Sequence, residues 1–211
     1  MVKKVVAAVL VLFASFLGYV GMQPSNYRVE RSVRVAATPE VVFPLVANLE
    51  QFPKWSPWQK LDPDAKRSFD GKPGEPGSSY QWEGNDDVGM GKMTVAEVDP
   101  NKSVRIDLQF MQPWESVAVT GLQVKPAADG VDVVWWMDGH LGFGERMFTV
   151  FADLEGQIGA SYEEGLTNLK GLAEAAMEKK RTDEAAAKAA AEAAAKAAAD
   201  AAALVAPAAP R

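Results

Sequence analysis

The sequence predicts an α+β domain: a curved antiparallel sheet of about seven strands, one long carboxy-terminal helix over its dry face, and two short helices after the first strand. Three observations predict it. Between residues 66 and 138, several runs have strand character and are separated by links rich in Gly, Pro, Asn and Asp, which suit hairpins. From about Asp153 the apolar period becomes helical. Ahead of both lies one strand, then a helical stretch that prolines interrupt. A sheet and an amphipathic helix each have one apolar side, and laying one over the other removes both from water.

The first strand is "YRVERSVRV", residues 27–35, where Tyr27, Val29, Val33 and Val35 alternate with Arg28, Glu30, Ser32 and Arg34, and Arg31 breaks the apolar side. A helix follows in "TPEVVFPLVANLEQF", with Thr38 as N-cap, Pro39 at the first helical position and Glu40 where a carboxylate suits the helix dipole. Pro44 in its second turn makes it short or kinked. In "NLEQFPKWSPWQKLD", residues 48–62, Pro53 and Pro57 are expected to stop the helix and hold a rigid irregular segment. Trp55 and Trp58 stand in that segment, and rings of that size cover either the core or a pocket mouth.

The strand-like runs fall near 66–71, 78–85, 88–98, 103–110, 115–125 and 130–138. The clearest is 103–110, where Val104, Ile106, Leu108 and Phe110 form a dry face against Ser103, Arg105, Asp107 and Gln109. In "VDVVWWMD" only one of Trp135 and Trp136 can face inward, and Trp135 shares the parity of Val131, Val133 and Met137. In the closing helix Leu154, Ile158, Tyr162, Leu166, Leu169 and either Leu172 or Ala173 share one side.

Both ends differ from this middle, which divides the chain into residues 1–23, 24–181 and 182–211. Lys3 and Lys4 precede an uncharged, mainly apolar run, residues 5–22, near the length that crosses a hydrocarbon core. It is long for a signal-peptide core, and "GYVGMQ" offers no small-residue cleavage site, which favours an uncleaved inner-membrane anchor. The lysines then keep that end cytoplasmic and put the domain across the membrane, in a bacterium the periplasm. The alternative is a cleaved signal and release into the same compartment. At the other end, Glu184, Lys188, Glu192, Lys196 and Asp200 recur every fourth residue in an alanine background, giving a solvated helix that ends before Pro207. It has no apolar stripe and reads as a helical tail or spacer, with contact to a protein partner as the alternative.

Composition excludes several classes. Lys+Arg 22 against Asp+Glu 28 gives a net charge of -6, and no basic stripe interleaves with aromatics, so nucleic acid is not an expected partner. The absence of cysteine excludes disulfides, thiolate metal sites and a cysteine nucleophile, and the lone His140 excludes a histidine-rich metal centre. Nothing calls for a cofactor. His140 near Glu145 or Asp138 reads as a loop residue, Asp86 and Asp87 as turn formers, and "GMG" at 89–91 opens no helix and so cradles no phosphate.

Three segments, "RSVRVAATPEVVFPLVANLEQFPKWSPW" at 31–58, "GSSYQWEGNDDVGMGKMTVAEVDP" at 77–100 and "IGASYEEGLTNLKGLAE" at 158–174, resemble the START-like, or SRPBCC, superfamily and within it the polyketide cyclase/dehydrase and lipid-transport group. The resemblance implies a helix-grip fold around a deep apolar cavity for lipids, polyketides or other hydrophobic molecules. It carries fold signatures and no catalytic motif. The residues expected to line such a cavity are Trp55, Trp58, Tyr80, Trp82, Phe110, Trp135 and Met137, joined by Phe143, Met147 and Phe151 from "LGFGERMFTVF", a run that with Phe148 forms either an adaptable gate before the long helix or ordinary core. Three functions follow: a membrane-tethered binding protein or carrier for a hydrophobic small molecule; a cyclase or dehydratase, which needs a buried polar group the sequence does not place; or an envelope interaction module acting through the alanine-rich helix.

Overall fold

A computed structural model describes residues 2–150 and 152–205, the last six by backbone alone. Seven strands form one sheet: β1 Asn26–Val35, β2 Lys66–Asp70, β3 Ser79–Glu83, β4 Met90–Asp99, β5 Ser103–Gln112, β6 Ser116–Ala127 and β7 Gly130–His140. Their order is β1-β7-β6-β5-β4-β3-β2, every pairing antiparallel, so the last strand returns to flank the first. Consecutive strands from β2 to β7 are neighbours, which the hairpin chemistry of their links requires. Register shifts in the β4–β5 pairing, between Met90 and Gly91 and between Val95 and Glu97, help bend the sheet.

The concave face is apolar and holds the helix α5, Leu154–Val205. Tyr162, Leu166, Leu169 and Ala173, spaced 4, 3 and 4 apart, are its buried stripe; Leu172 turns outward and Ala173 takes the inner place. From Glu178 to Ala199 every side chain is exposed, so the alanine-rich stretch continues α5 as a solvated rod. Arg31, the break in the β1 pattern, is accommodated where Gly159 leaves space on α5: its guanidinium lies there, with Nε 2.8 Å from Glu163 Oε1. Gly165 does the same for the core. A methyl there would lie 2.8 Å from the Trp135 ring and 3.1 Å from Pro57, so the helix reaches the sheet only because the side chain is absent. Gly165→Ala sets a gain in helix propensity of about 1 kcal/mol against overpacking of about 1–3 kcal/mol, and a lower urea midpoint is the expected net result.

The helices before β2 depart from expectation in detail. α2, Pro39–Ala47, starts at Thr38, but the Thr38 side chain makes no cap bond; its carbonyl takes the Val41 and Val42 amides instead. Pro53 and Pro57 do not merely stop a helix. Each sits at the start of a new single turn, α3 Phe52–Trp55 and a 3-10 turn Pro57–Lys60, where a missing N–H costs nothing. A further helix, α4 Phe143–Thr149, joins β7 to α5, with Glu145 Oε2 accepting the Gly142 amide at 2.6 Å. At the amino end α1, Val2–Met22, projects away from the domain: residues 2–15 are all exposed, and Val20 is buried beside α4.

Candidate functional site

Where α5 and the α2–α3 segment cross the concave face, they leave a cavity of about 230 Å³. β3, β4, β5, β6 and β7 supply its floor through Trp82, Met93, Leu108, Thr120 and Met137, and α5 supplies Ile158 and Tyr162. Strand alternation explains the choice, since every second side chain faces the helix. Trp135 faces inward with Met137, whereas Trp136 lies on the opposite face beneath the Arg28 guanidinium, 5.1 Å from its ring.

Aromatic rings dominate one wall. Trp55 is 1 % exposed, donates its indole N–H to Leu45 O at 3.0 Å, and meets Phe52 and Trp135 edge-on at 4.9 and 5.1 Å between centroids. Trp58 is only half-buried and stands edge-on to Trp135 and Tyr162. Trp55 is therefore core and wall together, while Trp58 is the ring that can move without opening the core. Tyr80 stacks on Trp82, and Trp82 meets Phe110 edge-on. Gly91 lets that indole lie flat on β4, where any Cβ would collide with it.

Three buried polar side chains of the cavity wall, Thr120, Trp135 and Tyr162, are hydrogen-bonded together. Thr120 Oγ1 lies 2.7 Å from Trp136 O, 3.1 Å from Trp135 Nε1 and 3.2 Å from the Tyr162 hydroxyl. A threonine hydroxyl has one proton, which the Trp136 carbonyl takes, so Thr120 accepts from both Trp135 and Tyr162. The Tyr162 ring also stacks on Trp135 with centroids 3.7 Å apart. Burial pushes the Tyr162 hydroxyl well above its ordinary value of 10.0, outweighing the Thr120 bond, and Tyr162 stays neutral at physiological pH. Burial likewise raises Tyr80, opposed by the Arg67 guanidinium, and raises Tyr27, helped by the Glu145 charge.

These three shifts have one sign. The unfolded chain loses these protons near pH 10.0 while the folded chain keeps them. Their contribution is complete below that pH and fades as pH rises through it. The urea midpoint is expected to hold to about pH 9 and fall by pH 11, and Tyr162→Phe should flatten that fall.

The charged lining residues, Asp62 and Arg67, serve the loop between the 3-10 turn and β2. Asp62 Oδ2 accepts the Asn85 amide at 2.7 Å, and Arg67 Nη2 donates to the carbonyls of Asp62 and Pro63 at 3.2 and 3.0 Å. Among the described residues no group of three or more His, Asp or Glu could hold a metal ion. His140 sits exposed at the end of β7 with Nδ1 3.0 Å from Asn26 Oδ1, outside the cavity.

Trp55, Trp58, Tyr80, Trp82, Phe110, Trp135 and Met137 thus line the cavity together. Phe143 and Met147 do not: the α4 turn carries them outside it, with the Phe143 ring instead 5.6 Å from the Arg146 guanidinium. Phe151 lies outside the described residues. Thr120, Phe52 and Tyr162 are further wall residues, which no local pattern in the sequence marks as part of a cavity. Tyr162 was legible only as part of the α5 stripe, and Thr120 only as a hydroxyl at an inward position.

The family model described as polyketide cyclase / dehydrase and lipid transport matches residues 27–174. No curated protein matches the chain in sequence. Among solved structures, one from Chromobacterium violaceum is 16% identical with a TM-score of 0.51, over 72% of this chain and 99% of that one. The Aha1 dimer from Colwellia psychrerythraea is also 16% identical, with a TM-score of 0.51 over 70% of this chain and 96% of that one. A protein from Rhizobium leguminosarum is 17% identical, with the same TM-score over 71% and 95%. At such identities the likeness is one of fold.

Proposed function

The chain belongs to the polyketide cyclase/dehydrase and lipid-transport family, and on that premise we propose that it binds and carries a hydrophobic small molecule while α1 tethers it to a membrane. The observation that carries the reading is a cavity lined mainly by indole, phenyl and thioether groups, in which the Thr120 and Tyr162 hydroxyls are committed to each other and to the backbone, and Ser56 and Tyr80 carry the other buried hydroxyls. A wall of that kind rewards apolar area, and among the described residues it carries no buried carboxylate or imidazole to take a proton. At about 230 Å³ the cavity is smaller than the roughly 300–1,000 Å³ usual for drug-sized ligands. The ligand is either compact, on the scale of one or two rings, or enters as Trp58 and the adaptable Met93 and Met137 give way.

The tether reading is supported by the 21-residue α1, about 31 Å long at 1.5 Å per residue and so matched to a hydrocarbon core of about 30 Å. Lys3 and Lys4 favour a cytoplasmic amino end with the domain on the far side, the periplasm in a bacterium. The cyclase or dehydratase reading would require Asp62 or Arg67 to leave the loop contacts each now makes.

The test is organic extraction and mass spectrometry of the full chain, isolated in native-lipid particles from its own membranes. One small molecule enriched near equimolar over the surrounding lipid is the expected result. A chain that carries none, and that binds no apolar fluorophore, would sink the proposal.

A further inference from the structure

We propose that the domain does not hang free of the bilayer but seats one end of its sheet in the lipid interface through Trp114, Phe148 and Phe143, so that the cavity faces the membrane. This rests on the reading of α1 as a membrane span. Four segments meet at that end of the sheet: the exit of α1, the β3–β4 turn, the β5–β6 hairpin and α4. Register places them together, because Asn26 pairs with His140, Glu83 with Met90, and Met90 with Gln112.

At this end the molecule exposes rings that a water-facing surface has no use for. Trp114 on the β5–β6 hairpin is 60% exposed and Phe148 on α4 is 66% exposed, and the two stack with centroids 5.9 Å apart. Phe143 on the same short helix is 44% exposed. Indole and phenyl groups clustered at one end suit the headgroup boundary, where an apolar body and a polar edge are both satisfied.

The link to α1 identifies the lipid as the occupant. Only residues 23–25 separate α1 from β1, a reach of about 10 Å at full extension. Even that slack is taken up: Arg146 of α4 donates to Gly21 O at 3.3 Å and to Gln23 O at 3.0 Å, and the Leu141 amide donates to Ser25 O at 2.7 Å. A helix spanning the membrane and clamped in this way leaves α4 nowhere to be except at the membrane surface. The patch continues onto α1 through the exposed Tyr19 and Met22.

Charge does not drive the contact. The segments 84–89 and 112–116 carry Asp86, Asp87 and Glu115 with no lysine or arginine, and in α4 Glu145 offsets Arg146, which is turned to the Gly21 and Gln23 carbonyls, so the seating depends on the rings and is not strengthened by anionic lipid. The consequence is a route for the ligand. Val88, Phe110 and Ile158, all half-buried cavity residues, lie toward the same end, so an apolar molecule can pass between cavity and bilayer without crossing bulk water.

The chain has no cysteine, which allows single reporters in the full-length protein. Glu115→Cys at the β5–β6 tip and Lys102→Cys at the β4–β5 tip, about 33 Å apart along the ten residues of β5, are each labelled with an environment-sensitive fluorophore in liposomes containing spin-labelled phospholipid. The expected result is lipid quenching several-fold stronger at position 115 than at 102, largely lost in Trp114→Ser/Phe148→Ser, and unchanged when anionic lipid replaces zwitterionic. Alkaline carbonate extraction of the same samples reports on the tether. Equal, weak quenching at both positions in a chain that resists extraction overturns the interfacial seating and leaves the anchor standing. A chain released by carbonate overturns the anchor reading and the seating with it.

Discussion

Replacing Trp55 by alanine is expected to lower folding stability by about 3–5 kcal/mol, read as a large drop in the urea midpoint at constant m. The ring is almost fully buried, fills the angle between Phe52 and Trp135, and its indole N–H satisfies the Leu45 carbonyl, so its removal opens a void and orphans an acceptor together. Loss of ligand binding in that variant would therefore report stability rather than recognition. Trp58→Ala is the informative companion. Its ring is half-buried on the cavity wall and makes no hydrogen bond through its indole nitrogen among the described residues, so a smaller stability loss with a larger fall in ligand affinity is expected. If Trp58→Ala loses stability as Trp55→Ala does and leaves affinity unchanged, the wall around the 3-10 turn is core and does not touch a ligand.

Thr120→Val should be nearly as costly, although it changes no volume worth naming. It removes the acceptor shared by the Trp135 N–H and the Tyr162 O–H, and each buried donor left alone costs about 1–3 kcal/mol, so a loss of about 2–6 kcal/mol is expected. Tyr162→Phe alone should cost about 1 kcal/mol, the usual net worth of one hydrogen bond. In the double variant one of the orphaned donors is gone, and the combined loss should be less than the sum of the two single losses. Strict additivity would mean that water, not Thr120, completes the tyrosine's hydrogen bonding. The result bears on function because a wall with its hydroxyls committed selects apolar ligands, whereas a hydrated one would accept a polar group.

Much of this architecture is legible in the sequence. Alternation in 103–110, the turn residues between strands and the four-residue spacing of the α5 stripe are local signals, and local signals set element type because side-chain direction follows backbone period. The same rule sends Trp135 inward and Trp136 outward. Phe143 and Met147 lie outside the cavity, in a stretch where period gives no guidance. They belong to a seven-residue helix, and the direction of so short an element is set by what it docks on, here the end of α1. The prolines of "FPKWSPW" misled in a related way, since a proline that ends one helix is equally suited to begin the next.

By itself, the sequence determined the order of the seven strands and the long closing helix, the apolar faces of strands and helix, the membrane-length run at the amino end and the charged alanine rod at the other, but not α4 or the turns at Pro53 and Pro57. These depend on neighbours within a few residues, which is why they can be read in one dimension. Only the tertiary structure decided which inward side chains meet. Thr120, Trp135 and Tyr162 are brought within hydrogen-bonding reach by the β6–β7 register and the helix laid across it, with Gly165 allowing the close approach. It also decided that Trp114 and Phe148, 34 residues apart (148 minus 114), stack beside the exit of α1. Contacts at such separations are set by closure of the whole sheet, and no local pattern in the chain records them.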